Sequence, residues 1–147
     1  MEIHFEHLWD EDIEITIKHN EHETTFIAYT HITGFPERLI NMLVRIWNGE
    51  SQMSAPLQIV HTPIEIEWSL EHILRITTGE TLQASTTLIE FKIERNDLCI
   101  AFWNALRELE TKVFLGQCEE YLADRIPFRG LDTLSSLIKQ DQDKEQS

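Results

Sequence analysis

An alternation of apolar and acidic residues runs through Ile64-Glu65-Ile66-Glu67-Trp68-Ser69-Leu70-Glu71. Successive side chains of a β-strand point to opposite faces, so this pattern predicts a strand. Its apolar face would hold Ile64, Ile66, Trp68 and Leu70. Its polar face would carry Glu65, Glu67 and Glu71. A row of like charges repels itself, and a cationic partner is the obvious reason to keep one.

The same kind of alternation predicts further strands on both sides of this segment. Residues 12–19 place three isoleucines on one face, and residues 24–33 have apolar residues on both faces, as a central strand would. Residues 1–8 also alternate, and residues 56–61 are predicted as a short strand. Residues 81–94 change phase once, which is what a β-bulge produces.

Two amphipathic helices complete the prediction. The first begins at Pro36 and ends at Asn48-Gly49, and the second runs from Asn96 to about residue 124. The expected fold is therefore α+β: a mainly antiparallel sheet of about five to seven strands, one helix after the third strand, and a long C-terminal helix packed on one face. Residues 1–138 would form a single α+β domain, with 139–147 as a polar, disordered tail.

The net charge excludes several classes of function. Asp and Glu number 26 against 12 Lys and Arg in 147 residues, which gives a formal net charge of -14. Such a surface repels nucleic-acid phosphates and anionic membranes, so neither is an expected partner. The sequence has no long apolar run and its start lacks the features of a signal peptide, which indicates a cytoplasmic protein. Cys99 and Cys118 are interpreted as buried thiols, with a disulfide as the less favoured alternative.

Motifs for catalysis or metal binding are weak. Histidines three apart, such as His4 and His7, fall in strand contexts, where that spacing puts them on opposite faces. Carboxylates two apart, such as Glu65 and Glu67, lie side by side on a strand and not across a cleft. No G-x-S-x-G elbow or glycine-rich phosphate loop occurs. We therefore expect no enzymatic activity, no cofactor and no metal site.

A protein-binding surface is the remaining hypothesis. Trp9 precedes three acidic residues, and an aromatic ring beside carboxylates can anchor an interface, although a core-facing Trp before a charged loop is an equal alternative. The strand carboxylates would add a second patch if their strands are neighbours. The predicted partner-binding residues are Glu65, Glu67, Glu71, Glu14, Glu90, Glu94, Trp9, Asp10, Glu11 and Asp12.

A small, acidic, cysteine-poor domain of meandering strands with a late helix and no catalytic motif resembles the immunity proteins of bacterial polymorphic or contact-dependent toxin systems. The resemblance implies a mode of action in which an acidic surface occludes the basic active-site cleft of a toxin nuclease. Immunity families share no residue signature, so the resemblance assigns no individual residue. The implied partner is a basic protein.

Two other classes of function stay open. A small enzyme would need an apolar pocket between sheet and helices, with histidine and carboxylate groups converging on it. A homodimeric adaptor would pair through an edge strand, either residues 1–8 or residues 81–94. A homo-oligomer is therefore possible on the sequence alone.

Overall fold

Seven strands and three helices make up the part of the chain that the computed structural model describes, residues 1–7, 12–29, 35–58, 63–79, 86–116 and 128–146. The strands form two antiparallel sheets. Sheet A contains β1 (Glu2–His7), β2 (Asp12–His19) and β3 (His22–Tyr29) in that order. Sheet B contains β4 (Met53–Gln58), β5 (Ile64–Trp68), β6 (Ile73–Thr78) and β7 (Thr86–Lys92).

Sheet A is a meander whose inner face is apolar. The isoleucines of β2, at positions 13, 15 and 17, are fully or almost fully buried, as their alternation predicts. A two-residue turn, Asn20-Glu21, connects β2 to β3, because His19 pairs with His22. Asn20 has a φ of 55°, in the left-handed region that asparagine tolerates better than most residues.

Sheet B confirms the alternation of its second strand. Ile64, Ile66 and Trp68 of β5 are buried, and the glutamates between them point outward. The strand stops at Trp68 and the chain turns, so Leu70 does not continue the apolar row and is 60% exposed. The predicted bulge is present in β7, where the register against β6 shifts by one residue after Ile76.

Helices cover the core on the sides that the sheets leave open. Helix α1 (Phe35–Trp47) lies against β4, helix α2 (Arg95–Phe114) lies against β1, and helix α3 (Phe128–Gln146) packs on both other helices. The buried apolar residues of all three helices and both sheets form one cluster. Among the described residues, no helix is long and apolar enough to cross a membrane.

The ends of the helices follow local chemistry. Helix α1 stops before Gly49, which adopts a φ of 113° and donates its N–H to the Ile46 carbonyl at 3.1 Å. Helix α2 has Glu94 as its N-cap and begins at Arg95, one residue before the predicted start at Asn96. At the contact between α3 and α1, a Cβ added to Gly130 would lie 3.1 Å from Ile40 Cγ2, so glycine permits this close approach.

Two parts of the predicted architecture are wrong. The strands form two sheets and not one sheet of five to seven, and two long helices, α2 and α3, replace the single C-terminal helix. Strand β3 is at the edge of sheet A, and it contacts β4 and β7 without pairing with them. Alternation shows that a strand is half-buried, but it does not show which strands pair.

The polar C-terminal segment is part of a helix in the structure. Helix α3 buries Leu131, Leu134 and Ile138, and it continues to Gln146 through the segment for which the sequence predicts a disordered tail. Residues 139–144 are exposed. Residues 139–144 therefore add no buried residue to the core, and the predicted disorder stays a prediction.

Candidate partner-binding surface

The outer face of sheet B carries three of the glutamates that the sequence predicts to bind a partner. Glu67 on β5 lies opposite Arg75 on β6, and Arg75 lies opposite Glu90 on β7. Arg75 Nε donates to Glu90 Oε2 at 2.7 Å. This hydrogen bond, with the positive charge of Arg75, lowers the pKa of Glu90. The same bond, with the negative charge of Glu90, raises the pKa of Arg75. We call Glu65, Glu67, Arg75 and Glu90 the sheet B patch.

The sheet B patch is open to solvent in the structure. Glu65 and Glu90 are exposed and Glu67 is half-buried, so no described helix covers the face. Glu65 lies between Pro56 and Thr77 and has no cation opposite it. The patch keeps a net negative charge, but Arg75 neutralises part of it.

The outer face of sheet A presents a more unusual arrangement. Glu6 on β1 lies directly opposite Glu14 on β2, and Glu14 lies opposite Ile27 on β3. Ile27 is 43% exposed. Neither glutamate has an ion pair with the residues that the structure describes. We call Glu6, Glu14 and Ile27 the sheet A patch.

The two patches do not form one continuous row. The sequence predicts Glu14 beside Glu65 and Glu67 if their strands are neighbours. In the structure β2 and β5 belong to different sheets. In the structure the neighbour of Glu14 is Glu6, which is not among the residues predicted from the sequence. The observed register pairs residue 6 with residue 14, and the alternation of the two strands does not by itself fix a register.

The second predicted patch falls mostly outside the described residues. Trp9, Asp10 and Glu11 belong to residues 8–11, of which the structure gives no description. Asp12 opens β2. This segment connects the strand ends that follow Glu6 and precede Glu14, so its two acidic residues adjoin the sheet A patch along the chain.

The last two predicted residues lie at one end of sheet B. Glu71 is exposed in the turn between β5 and β6 and not on the strand face. Glu94 follows β7, and its Oε2 is hydrogen-bonded to His72 Nδ1 at 3.0 Å. Glu71 therefore lies in the turn and Glu94 contacts it, and neither belongs to the sheet B patch.

The Glu6–Glu14 pair makes a stability prediction. Like charges directly opposite on a sheet are destabilising, whereas opposite charges stabilise. We expect Glu14→Lys to raise the free energy of unfolding by about 0.5 kcal/mol at low salt, as measured by urea denaturation. The matched control is Glu23→Lys on the same face, which sets a second lysine opposite Lys18 and should lower stability. Equal effects of the two variants would contradict the electrostatic cause.

A groove at the start of helix α2 brings different chemistry together. It has a volume of about 520 Å³, and helix α2 lines one side of it. Its polar lining includes His19, Lys92, Glu94 and Asp97, and its apolar lining includes Ile100. The His19 ring stacks on Phe91, with 4.2 Å between ring centroids. Histidine and carboxylates thus line one groove, which is one part of what the enzyme alternative requires.

Packing lowers the pKa of His19. Burial is the largest cause, followed by the positive charges of the N-terminal ammonium and His22. An unfolded chain takes up the His19 proton near pH 6.5, and the folded chain takes it up only at lower pH. Between those two values the unfolded state binds more protons, so stability falls as pH is lowered through that window.

The variant His19→Phe tests this linkage. Phenylalanine keeps a ring against Phe91 but does not titrate, so we expect the loss of stability between about pH 7 and pH 5 to be smaller in the variant. Thermal unfolding midpoints across that range measure the difference. Identical pH profiles for the two proteins would show that His19 is not the group responsible.

Cys99 is placed neither as a nucleophile nor as a metal ligand. Burial raises the pKa of the Cys99 thiol to about 12, and its Sγ lies 3.7 Å from the Leu43 carbonyl oxygen, to which it donates. A thiol of this kind is inert as a nucleophile. Within the same residues, no group of three or more His, Cys, Asp or Glu side chains is arranged to hold a metal ion.

The fold and these surfaces define an acidic α+β protein of two antiparallel sheets and three described helices. The chain matches no protein-family model, no curated protein and no solved structure.

Proposed function

We propose that this chain is an acidic binding protein that neutralises a basic partner protein by occluding its active site, in the manner of an immunity protein for a toxin nuclease. The Glu6–Glu14 pair is the observation that carries the proposal. Two facing carboxylates that have no cation among the described residues cost stability in the free protein. A partner that supplies Lys or Arg removes this repulsion on binding, so the pair favours the complex over the free protein.

The composition of the sheet A patch supports a protein partner. Ile27 is a partly exposed apolar residue next to Glu14, and protein interfaces combine an apolar contact with charged groups at its border. A small cation in solution would relieve the repulsion but would not use Ile27. The acidic segment at residues 8–11 would extend the contact.

The net charge supports a basic partner in particular. A formal charge of -14 attracts a cationic protein over a range of about 10 Å at moderate salt and accelerates encounter. A nuclease binds phosphates with Lys and Arg in its cleft, so carboxylates set at the spacing of a sheet can take the place of those phosphates. In this proposal both proteins meet in the cytoplasm.

Affinity capture from the native host tests the proposal. The tagged wild type, Glu6→Gln/Glu14→Gln and the control Asp141→Asn/Asp143→Asn would be compared at low salt. The control removes the same charge from exposed positions of helix α3. We expect a stoichiometric basic protein with the wild type and the control, and much less with the first variant. The captured protein should arrest growth alone and not when co-expressed with the chain.

Two results would count against the proposal. One is that no stoichiometric basic protein is recovered with any bait at low salt. The other is that the captured protein arrests growth equally with and without the chain. Either result would remove the inhibitory role, whatever the charge of the surface.

The groove at helix α2 favours a second candidate function, a small enzyme. His19, Glu94 and Asp97 line a groove large enough for a small substrate, which an inhibitor by occlusion does not need. The two functions separate with His19→Phe. An enzyme should lose its activity in this variant, whereas neutralisation of a partner through the sheet A patch should be unchanged.

A further inference from the structure

The turn between β5 and β6 is more firmly held than a short hairpin requires. The Ser69 N–H donates to the Ile73 carbonyl at 3.1 Å, and the His72 N–H donates to the Ser69 carbonyl at 3.0 Å. The Ile73 N–H also donates to Ser69 Oγ at 3.3 Å. These bonds close a three-residue loop whose last residue, His72, has a φ of 60°.

A left-handed residue at this place in such a loop is usually glycine, because a side chain makes the conformation costly. Here the side chain of His72 makes two contacts that glycine could not make. Its ring stacks on the indole of Trp68, with 4.8 Å between centroids, and its Nδ1 is hydrogen-bonded to Glu94. The backbone is held as well, because the Ile93 N–H donates to the His72 carbonyl at 2.8 Å.

These contacts fix the loop to the core. Trp68 is fully buried, and its Nε1 donates to the Ile93 carbonyl at 3.2 Å. The loop is thus joined through one ring to the core and through two hydrogen bonds to the connection between β7 and α2. A loop held in this way loses little conformational freedom when it binds.

The two residues at the tip of the loop point to what it binds. Leu70 is 60% exposed and Glu71 is exposed beside it. Single exposed leucines are common and usually mean nothing. This one lies next to a carboxylate on a rigid support, and binding energy in interfaces concentrates on side chains that fill a pocket from such a support.

We propose that the loop Leu70-Glu71 is a preformed anchor, with Leu70 entering an apolar pocket on the partner protein and Glu71 pairing with a Lys or Arg at its border. The proposal rests on the proposed function, because it assumes the same basic partner. It adds a second contact at one end of sheet B. The sheet A patch governs encounter, and the anchor governs how long the complex lasts.

Dissociation of the purified complex tests the anchor. We expect Leu70→Ser to raise the dissociation rate at least about tenfold with an unchanged association rate. The matched control is Leu115→Ser, a leucine of similar exposure, which should behave as the wild type. His72→Gly keeps a residue suited to the turn but removes the ring contacts, so it should weaken binding about threefold or more.

The outcomes separate this proposal from the function on which it rests. A complex that forms, depends on salt and dissociates from Leu70→Ser at the wild-type rate would overturn the anchor and leave the function intact. Recovery of no basic partner would overturn both. Urea denaturation of each variant, with a midpoint like that of the wild type, excludes unfolding as the cause of a faster dissociation.

Discussion

Replacing Trp68 with alanine should lower the free energy of unfolding by about 3 to 5 kcal/mol, the usual loss when a large aromatic residue is removed from a core. Trp68 is fully buried at the end of β5. Its indole donates a hydrogen bond to the Ile93 carbonyl and stacks on His72. The Arg95 guanidinium carbon also lies 5.5 Å from the ring centroid. One substitution therefore opens a cavity and releases the turn.

Trp68→Phe is the control for this experiment. Phenylalanine refills much of the volume but cannot donate to Ile93, so its loss of stability should be clearly smaller than that of alanine. Urea denaturation followed by circular dichroism gives both values. A loss below about 1 kcal/mol for Trp68→Ala would be typical of a surface site, and it would contradict the placement of Trp68 in the core.

The second large effect concerns association with the partner. Removing two charges at Glu6 and Glu14 should slow association with the captured protein by about tenfold or more at low salt, because charges at the border of an interface act mainly on the association rate. The difference from the wild type should shrink as salt rises. Stopped-flow mixing measures the association rates of the wild type and the variant at each salt concentration.

The same two substitutions should not weaken the fold. They remove the Glu6–Glu14 repulsion, so the variant should be as stable as the wild type or slightly more stable. Greater stability with slower binding is the signature of residues kept for a partner. Slower binding by the control Asp141→Asn/Asp143→Asn to the same extent would show that only total charge matters and that the sheet A patch has no special role.

The sequence predicts single elements well because burial of one face makes apolar residues recur with the period of a strand or a helix. The alternation around Ile66 and the spacing in helix α1 each record which side of the element faces the core. The phase change in β7 likewise records a bulge. The predicted burial of Leu70 is wrong because three residues, Leu70 to His72, suffice to reverse the chain. The apolar pattern continues across them by coincidence.

Pairing between strands and charges across strands were harder to predict. Nothing in the alternation of β3 shows that it ends sheet A and meets β4 and β7 only by contact. Because the pairing of the strands was not known, the residues opposite Glu90 and Glu14 could not be predicted either. The sequence predicts Glu90 as one more partner-binding carboxylate, and in the structure Arg75 lies opposite it and binds it. Glu6 was not selected, although it lies opposite Glu14.

The central claim is that this chain inhibits its partner by covering the partner's active site. The most direct measurement is a titration of the captured partner's activity with the chain, repeated at increasing concentrations of the partner's substrate. The account predicts complete inhibition at a one-to-one ratio and relief of inhibition as substrate rises. A saturated complex that retains full activity would contradict it.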